Sequence, residues 1–209
     1  DSYYSIGRFT DHRAAIDYGL KLIDEGADIL DIGGESTRPG SDTLVSEEEE
    51  KRRIVPVIIG IRQKTDCPIS VDTFKPSVAK AALESGANLI NDITGLSHPD
   101  MRTLVRETKV KCCIMHMYGA PHTQPETPNY PLGIIEEISV FFKKRVDLLL
   151  DAGIHPSQII FDPGIGGGAF GKSPQQCLHI IKNIRTLSLL GYPLLIGLSR
   201  KSFLQNILQ

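Results

Sequence analysis

The amino-acid sequence repeats one unit: a short apolar run that stops on a polar residue, then a loop and an amphipathic segment of helical length. Runs this short and continuous are typical of strands buried on both faces of a parallel sheet. The order strand, helix, strand, helix throughout predicts an α/β protein. The apolar runs lie at 27–37, 67–73, 88–93, 110–117, 158–164 and 193–200.

Polar residues cluster where these runs end. In a closed (β/α)8 TIM barrel the carboxyl ends of the strands form the edge on which active sites are built. The periodicity therefore indicates where the chemistry should lie before any motif is considered. The polar strand-end residues are Asp31, Asp72, Asn91, His116, Asp162 and Ser199.

The number of repeats favours a barrel of which part lies outside this sequence. We find roughly six strands, and a closed barrel needs eight. We therefore expect residues 1–209 to form one TIM-barrel domain, as a fragment that lacks one strand before residue 1 and one βα unit after residue 209. An open sheet of six strands is the alternative.

Composition narrows the class of function. Hydrophobic residues make up 41% and charged residues 23%, as in ordinary soluble proteins. The net charge of −2 offers no broad basic surface for nucleic acid, and no apolar stretch approaches the length of a membrane span. The four cysteines and six histidines have no metal-ligand spacing. We expect a reduced, cytoplasmic protein that binds neither nucleic acid nor membrane.

Capping residues predict where the helices begin and end. Asp11 can cap a helix that runs to Glu25, and Ser46 with Glu49 fits a capping box. Pro76 suits a first helical turn, and a long helix is expected over 131–152. One further helix is predicted from about Pro174 to Leu190.

The segment GGGAFGKS at 166–173 fits the phosphate-binding P-loop motif in full, after a strand and before a helix. In such a loop, backbone N–H groups hold the phosphates and Lys172 would neutralise them. Two features count against this interpretation. Asp162-Pro163-Gly164 intervenes between strand and loop, and Pro174 follows the motif at once. A P-loop nucleotidase is therefore the alternative function.

A dispersed set of motifs carries a family resemblance over nearly the whole chain, in the right order. The motifs are DIGGESTRPG (31–40), SVDT (70–73), NDITG (91–95), DPGIG with FGKS (162–173) and GLSRKSF (197–203). Together they resemble dihydropteroate synthase, a pterin-binding barrel family. The N-terminal DSYYSIGRF is similar to a diverged form of that family's first loop, and GGGA reads as an extension of its DPG loop.

The residue types suit a pterin ring, whose edge presents fixed N–H donors and ring acceptors. Asp72, Asn91 and Asp162 each leave a different strand end and can match that edge. A cation is disfavoured at a helix N-terminus, so Lys201, which begins a helix after a buried strand, is expected to contact a ligand. For any one of the three strand-end residues alone, a role as a strand-end cap or turn former would be the better interpretation, but the three together, with Lys201, favour a pterin site.

The resemblance implies the remaining site. Arg38 would close over a diphosphate, and Asp72, Lys201 and Arg38 would form the catalytic set. The expected substrate-binding residues are Thr37, Asp72, Asn91, Ile93, Met115, Asp162, Phe170, Gly197, Arg200, Lys201 and Ser202.

The implied reaction joins 6-hydroxymethyl-7,8-dihydropterin diphosphate to 4-aminobenzoate, giving 7,8-dihydropteroate and diphosphate in folate biosynthesis. The resemblance also implies Mg²⁺ as cofactor, inhibition by sulfonamides and a homodimer. The family's metal-contacting Asn would precede residue 1, so no metal ligand is assigned. A pterin-binding module without turnover is a further alternative.

Overall fold

A computed structural model describes residues 11–36, 44–123, 128–167, 170–199, 201 and 204. Helices and strands alternate along them, as the repeat predicts. The helices are α1 (His12–Asp24), α2 (Glu47–Arg62), α3 (Pro76–Glu84), α4 (Pro99–Thr108), α5 (Ile134–Asp151), α6 (Pro174–Lys182) and α7 (Ile184–Ser188), with a 3-10 turn at Pro156–Gln158. The strands are β1 (Leu30–Gly33), β2 (Ile69–Asp72), β3 (Leu89–Asp92), β4 (Lys111–Met115) and β5 (Ile159–Asp162).

The strands form one parallel sheet in the order β1-β2-β3-β4-β5. Each strand therefore lies beside its predecessor in sequence, with a helix in the crossover, which is the winding of a (β/α)8 barrel. The sixth predicted strand, at 193–200, is reduced to a single parallel bridge between Phe161 and Leu194. The N–H of Phe161 donates to the carbonyl of Pro193 at 2.8 Å, and the carbonyl of Phe161 accepts from the N–H of Leu195 at 2.7 Å, whereas Pro193 itself has no N–H to donate.

The two faces of the sheet differ in chemistry, which corrects the expectation of strands that are apolar on both sides. Successive strand residues point to opposite faces. The outer face packs under the helices in the main hydrophobic core, and the inner face carries most of the polar side chains. Outer residues in the core are Leu30, Ile69, Val71, Ile90, Cys112, Ile114, Ile159 and Phe161. Inner residues, by alternation and register, are Asp31, Ser70, Asp72, Asn91, Cys113, Met115 and Asp162.

Most helix limits follow the capping signals. The Asp11 carboxylate accepts from the N–H of Arg13 at the start of α1, and the Ser46 hydroxyl accepts from the N–H of Glu49 at the start of α2. The helix predicted over about 174–190 is wrong as one piece, because it breaks at Asn183 into α6 and α7. No helix of the described residues combines the length and the apolar character that a membrane crossing requires.

The last helix before β5 is fixed by aromatic stacking. Phe142 of α5 and Phe161 of β5 lie parallel, with ring centroids 4.0 Å apart, and both are fully buried. Phe161 also stacks on Tyr192, at 4.5 Å, just before the bridge to Leu194. This stack holds β5, and hence its terminal Asp162, against the helical layer.

Phe142→Ala should therefore destabilise the fold by about 3–5 kcal/mol, the usual cost of removing a large buried aromatic side chain. Urea unfolding measures the loss, and Lys144→Ala on the exposed side of the same helix is the matched control. A loss no greater than that of the control would contradict this account of how β5 is held.

Candidate functional site

The inner face brings three polar side chains together at the ends of β1, β2 and β3. Asp72 is the register partner of Asn91 on one side and of Gly33 on the other. The Asn91 amide donates to the Asp31 carboxylate at 3.1 Å. A Cβ added at Gly33 would approach Cβ of Asp72 to 3.3 Å, so the glycine leaves room for this carboxylate. The structure thus brings together Asp72 and Asn91, two of the residues predicted to bind the pterin.

Burial and like charge make this cluster unfavourable for anionic carboxylates when no ligand is present. The pKa of Asp72 is raised well above its usual range, first by burial and then by the negative charge of Asp31. The pKa of Asp31 is also raised by burial, while the hydrogen bond from Asn91 and the nearby Ser70 hydroxyl act in the opposite direction. Protein surrounds Asp31 densely, yet the residue remains accessible to solvent. Asp31 therefore lines an open recess and is not part of the core.

Asp162 closes the other end of the polar face, at the end of β5. It is the register partner of Met115, and its carboxylate accepts from the N–H of Gly164 at 2.7 Å. Burial raises the pKa of Asp162 to about 6, while that hydrogen bond and the cations Lys172 and Lys201 act in the opposite direction. Asp162 is thus a buried acid whose ionised form depends on nearby positive charge.

Lys201 and Phe170 meet beside Asp162. The Lys201 ammonium lies 5.0 Å from the centroid of the Phe170 ring. The pKa of Lys201 is lowered by burial, and the charge of Asp162 counteracts that effect. Gly166, with φ of 152°, packs so closely that an added Cβ would lie 2.6 Å from the Phe170 ring. The extended glycine loop therefore does deliver Phe170 to Lys201.

The other predicted site residues differ in where they lie: two are buried at strand ends, one is exposed, and four lie outside the described residues. Met115 and Ile93 are buried, at 4% and 6% exposure, at the ends of β4 and β3. Gly197 is exposed, after the bridge that follows α7. The four remaining predictions, Thr37, Arg38, Arg200 and Ser202, lie outside the described residues.

Asp92 shows why one of two adjacent polar residues belongs to the site and the other to the fold. It points to the outer face, is fully buried, and accepts hydrogen bonds from Thr94 N–H and hydroxyl, both at 2.7 Å, and from the N–H of Leu96 at 3.2 Å. Those bonds shape the turn after β3. Asp92 therefore fixes the backbone that presents Asn91 on the inner face.

A buried ionic cluster that the sequence does not reveal lies behind the loop after β1. The ammonium of Lys75 donates to Glu50 at 2.7 Å, to Glu35 at 2.5 Å and to the carbonyl of Val45 at 2.5 Å. The Glu35 carboxylate also accepts from the N–H of Val45 at 3.2 Å and lies 3.0 Å from Nε2 of His122. Lys75 and Glu35 thus tie together the two flanks of segment 37–43, in which Arg38 lies.

The glycine-rich motif does not have the geometry of a phosphate cradle. The N–H of Lys172 donates to the carbonyl of Gly166 at 3.2 Å, and that of Phe170 donates to Gly167 at 3.3 Å. Ser173 caps α6 through a full capping box with Gln176, so the helix begins only after the motif. These N–H groups are engaged within the loop, whereas a P-loop turns them toward the phosphates.

The described residues hold no group of three or more His, Cys, Asp or Glu side chains arranged for a metal ion. Asp31, Asp72 and Asn91 bring only two carboxylates together. These residues therefore do not fit a Mg²⁺ site by themselves.

Comparison with known proteins identifies the family. The family model "Pterin binding enzyme" matches residues 1–209. A dihydropteroate synthase of Clostridium beijerinckii is 43% identical over 98% of this chain and 72% of its own.

Solved structures of similar proteins agree with this family assignment. Dihydropteroate synthase of Xanthomonas albilineans with 4-aminobenzoic acid matches with a TM-score of 0.87 and 40% identity, over all of this chain and 72% of that one. The Yersinia pestis enzyme in a sulfonamide drug complex matches with a TM-score of 0.91 and 35% identity, over all of this chain and 73% of that one. The chain belongs to the dihydropteroate synthases. The predicted family, the predicted TIM-barrel fold and the predicted function, a dihydropteroate synthase that acts as a transferase, are confirmed.

Two groups of residues escaped the sequence-based site prediction. Asp31 is among the polar strand-end residues but is missing from the predicted binding residues, although the alternation of strand residues places it on the same face as Asp72. Lys75, Glu35 and Glu50 are far apart in sequence and carry no motif. Only the packing of α2 and α3 behind β1 brings them together.

Lys75→Met should destabilise the protein by about 3 kcal/mol or more, because Glu35 and Glu50 would remain buried without their cation. Thermal and urea unfolding measure the effect. Lys80→Met on the exposed side of α3, the helix that Lys75 precedes, is the control and should leave stability nearly unchanged. Equal stability of the two variants would show that the cluster contributes nothing to the fold.

Proposed function

We propose that this chain carries the pterin and arylamine sites for the condensation of 6-hydroxymethyl-7,8-dihydropterin diphosphate with 4-aminobenzoate. The observation that carries the proposal is the polar inner face, on which Asp72, Asn91 and Asp162 end three strands beside Lys201 and Phe170. The family match and the 4-aminobenzoic acid bound by the Xanthomonas relative support it.

In this proposal Asp162 and Asn91 recognise the edge of the pterin ring. A carboxylate accepts from two ring-edge N–H groups, and an amide both donates and accepts, so the pair matches an edge of alternating polarity. Ile93 and Met115 line the faces of the ring with apolar surface, as their burial next to these strand ends allows. An unmatched edge would leave buried polar groups without partners.

Asp72 would act on the developing charge. The C–O bond between the pterin methylene and the diphosphate breaks, its electron pair leaves with the diphosphate, and positive charge spreads over the methylene and ring. A carboxylate whose pKa is raised in the free site gains most from such a cation, because the cation offsets the repulsion from Asp31. The arylamine nitrogen then forms the C–N bond and releases a proton.

The arylamine would lie against Phe170 and Lys201. An aromatic ring and a half-buried ammonium together suit a flat molecule with an anionic end. A sulfonamide has the same shape, which is consistent with the sulfonamide complex of the Yersinia relative, and we expect sulfonamides to compete with 4-aminobenzoate here. Thr37, Arg200, Ser202 and Gly197 are proposed contacts of the arylamine or of phosphate oxygens, and Arg38 of the diphosphate.

Three further properties are proposed from the family resemblance. Mg²⁺ would neutralise charge on the diphosphate, although the described residues do not form a site for it by themselves. A homodimer and a cytoplasmic location are proposed as well. The four free thiols are compatible with a reducing compartment.

Turnover separates an enzyme from a pterin-binding module. The full-length protein should release diphosphate and form 7,8-dihydropteroate only when both substrates are present, and a sulfonamide should raise the apparent KM for 4-aminobenzoate. Coupled detection of diphosphate with chromatography of the pterin product measures both. Pterin binding without product would favour the non-catalytic module. Binding of Mg-ATP in place of pterin would favour the P-loop nucleotidase.

Asp162→Asn and Asn91→Ala should each weaken pterin binding by about tenfold to a hundredfold, the cost of leaving ligand polar groups unpaired. The fold should lose less stability, measured as the melting temperature, than the site loses in pterin affinity, because both side chains face the recess. Calorimetric titration with 6-hydroxymethylpterin measures affinity, and Asp147→Asn on the exposed face of α5 is the control. If both variants bind pterin as tightly as the control does, the proposal that Asp162 and Asn91 bind the pterin edge is wrong.

A further inference from the structure

Lys172, the lysine of the glycine-rich motif, is almost completely buried, at 4% exposure. Its ammonium donates to two backbone carbonyls, that of Phe170 at 2.9 Å and that of His116 at 3.1 Å. His116 follows β4 and Phe170 lies in the loop after β5. Lys172 therefore joins the two loops that flank the Asp162 end of the polar face.

The backbone around this ammonium is packed too tightly for the contact to be incidental. Gly164 has φ of +65°, and an added Cβ would lie 2.1 Å from the carbonyl oxygen of His116 and 3.2 Å from the Lys172 ammonium. The N–H of the same glycine donates to the Asp162 carboxylate at 2.7 Å. One short stretch of backbone thus separates the Asp162 carboxylate from the Lys172 cation.

Charge links the two residues as well. Burial lowers the pKa of Lys172 to about 7, and the charge of Asp162 is the largest effect that opposes it. Conversely, the cations Lys172 and Lys201 help to keep Asp162 ionised against burial and the charge of Asp31.

The remaining titratable neighbours contribute little positive charge. Cys113 and Cys177 are thiols whose pKa values are raised by burial. Burial, and then the charge of Lys172, lowers the pKa of His116 to about 3, so the imidazole is neutral near neutral pH. Lys172 and Lys201 are thus the two cations that act on Asp162 among the described residues.

We propose that Lys172 is a positioning residue of the substrate site, which keeps Asp162 ionised for the pterin edge and holds Phe170 in place for the arylamine. The inference rests on the proposed function and adds a residue to it. It also gives the motif lysine a role that involves no nucleotide, because its donors face backbone carbonyls of its own fold.

The sign of the expected pH effect follows from the pKa values. Asp162 binds the pterin as a carboxylate, so affinity is present above the pKa of Asp162, about 6, and is lost as the pH falls through it. Removal of the positive charge of Lys172 raises the pKa of Asp162 further. The loss of affinity must then begin at a higher pH.

Pterin titrations between pH 5 and 8.5 test this on the full-length protein, with 6-hydroxymethylpterin as the probe. In Lys172→Met the pH midpoint of affinity should rise by about 1 unit, the usual effect of one nearby opposite charge. Lys172→Gln should show the same shift, because it also lacks the charge, but it retains hydrogen-bond donors. Lys182→Met on the exposed side of α6 should titrate as the wild type does.

Kinetics with 4-aminobenzoate test the second role of Lys172, which is to hold Phe170 in place, separately from its effect on the charge of Asp162. At a pH where Asp162 is ionised in every variant, KM for 4-aminobenzoate should rise several-fold in Lys172→Met, because the Phe170 carbonyl loses its donor, and less in Lys172→Gln. A change in kcat with unchanged KM would contradict the positioning of Phe170.

A pH midpoint unchanged in both Lys172 variants would overturn the proposal, whereas a wild type that binds no pterin would overturn the proposed function itself. If neither variant folds, carbon NMR of the Asp162 carboxyl in the wild type decides. The proposal requires a second inflection of that signal when Lys172 loses its proton. A single inflection would refute it.

Discussion

The parallel register of five very short strands is the constraint on which the rest of the molecule depends. With four or five residues each, a strand presents only two or three side chains to each face. The outward-facing residues must be mostly apolar because the helices pack on them. The residues that alternate with them along each strand therefore line the recess. Register then decides which of those residues meet: Asp72 with Asn91, and Met115 with Asp162. A shift of one residue in any strand would exchange its two faces and bury the polar side chains under a helix.

This arrangement concentrates negative charge, and the chain compensates it locally. Asp31, Asp72 and Asp162 all have raised pKa values, and each is raised first by burial. Among the described residues, the cations that lower the pKa of Asp162 are Lys172 and Lys201, and both lie at its end of the sheet. The recess is therefore asymmetric: one end is suited to a fixed carboxylate, and the other, around Asp72, to a ligand that brings or develops positive charge. That asymmetry suits the proposed substrate, whose methylene group becomes cationic between the pterin ring, which Asp162 recognises, and the departing anionic diphosphate.

The fold could be predicted far more completely than the supporting interactions of the site. Strand-end residues such as Asp72, Asn91 and Asp162 follow from the repeat alone, because parallel strands end at one edge. The break at Asn183 could not be seen, since the apolar spacing continues across it. The single bridge at Leu194 could not be seen either, because its extent depends on which backbone groups of Phe161 are within reach. Residues that act by long-range packing, such as Lys75, leave no local pattern.

Lys172 shows why a motif has to be interpreted with its structural surroundings. The same letters that would make a phosphate cradle occur here in a loop whose N–H groups of Phe170, Lys172 and Ser173 are already bonded within the loop and its cap. Pro174 at the first position of α6 starts the helix only after the motif, and the capping box of Ser173 with Gln176 already occupies the N-terminus of that helix. The lysine turns inward instead, because two carbonyls and one carboxylate lie within the fold to receive its charge. A buried cation needs such compensation, and that requirement connects the loop that carries Phe170 to the strand end that carries Asp162.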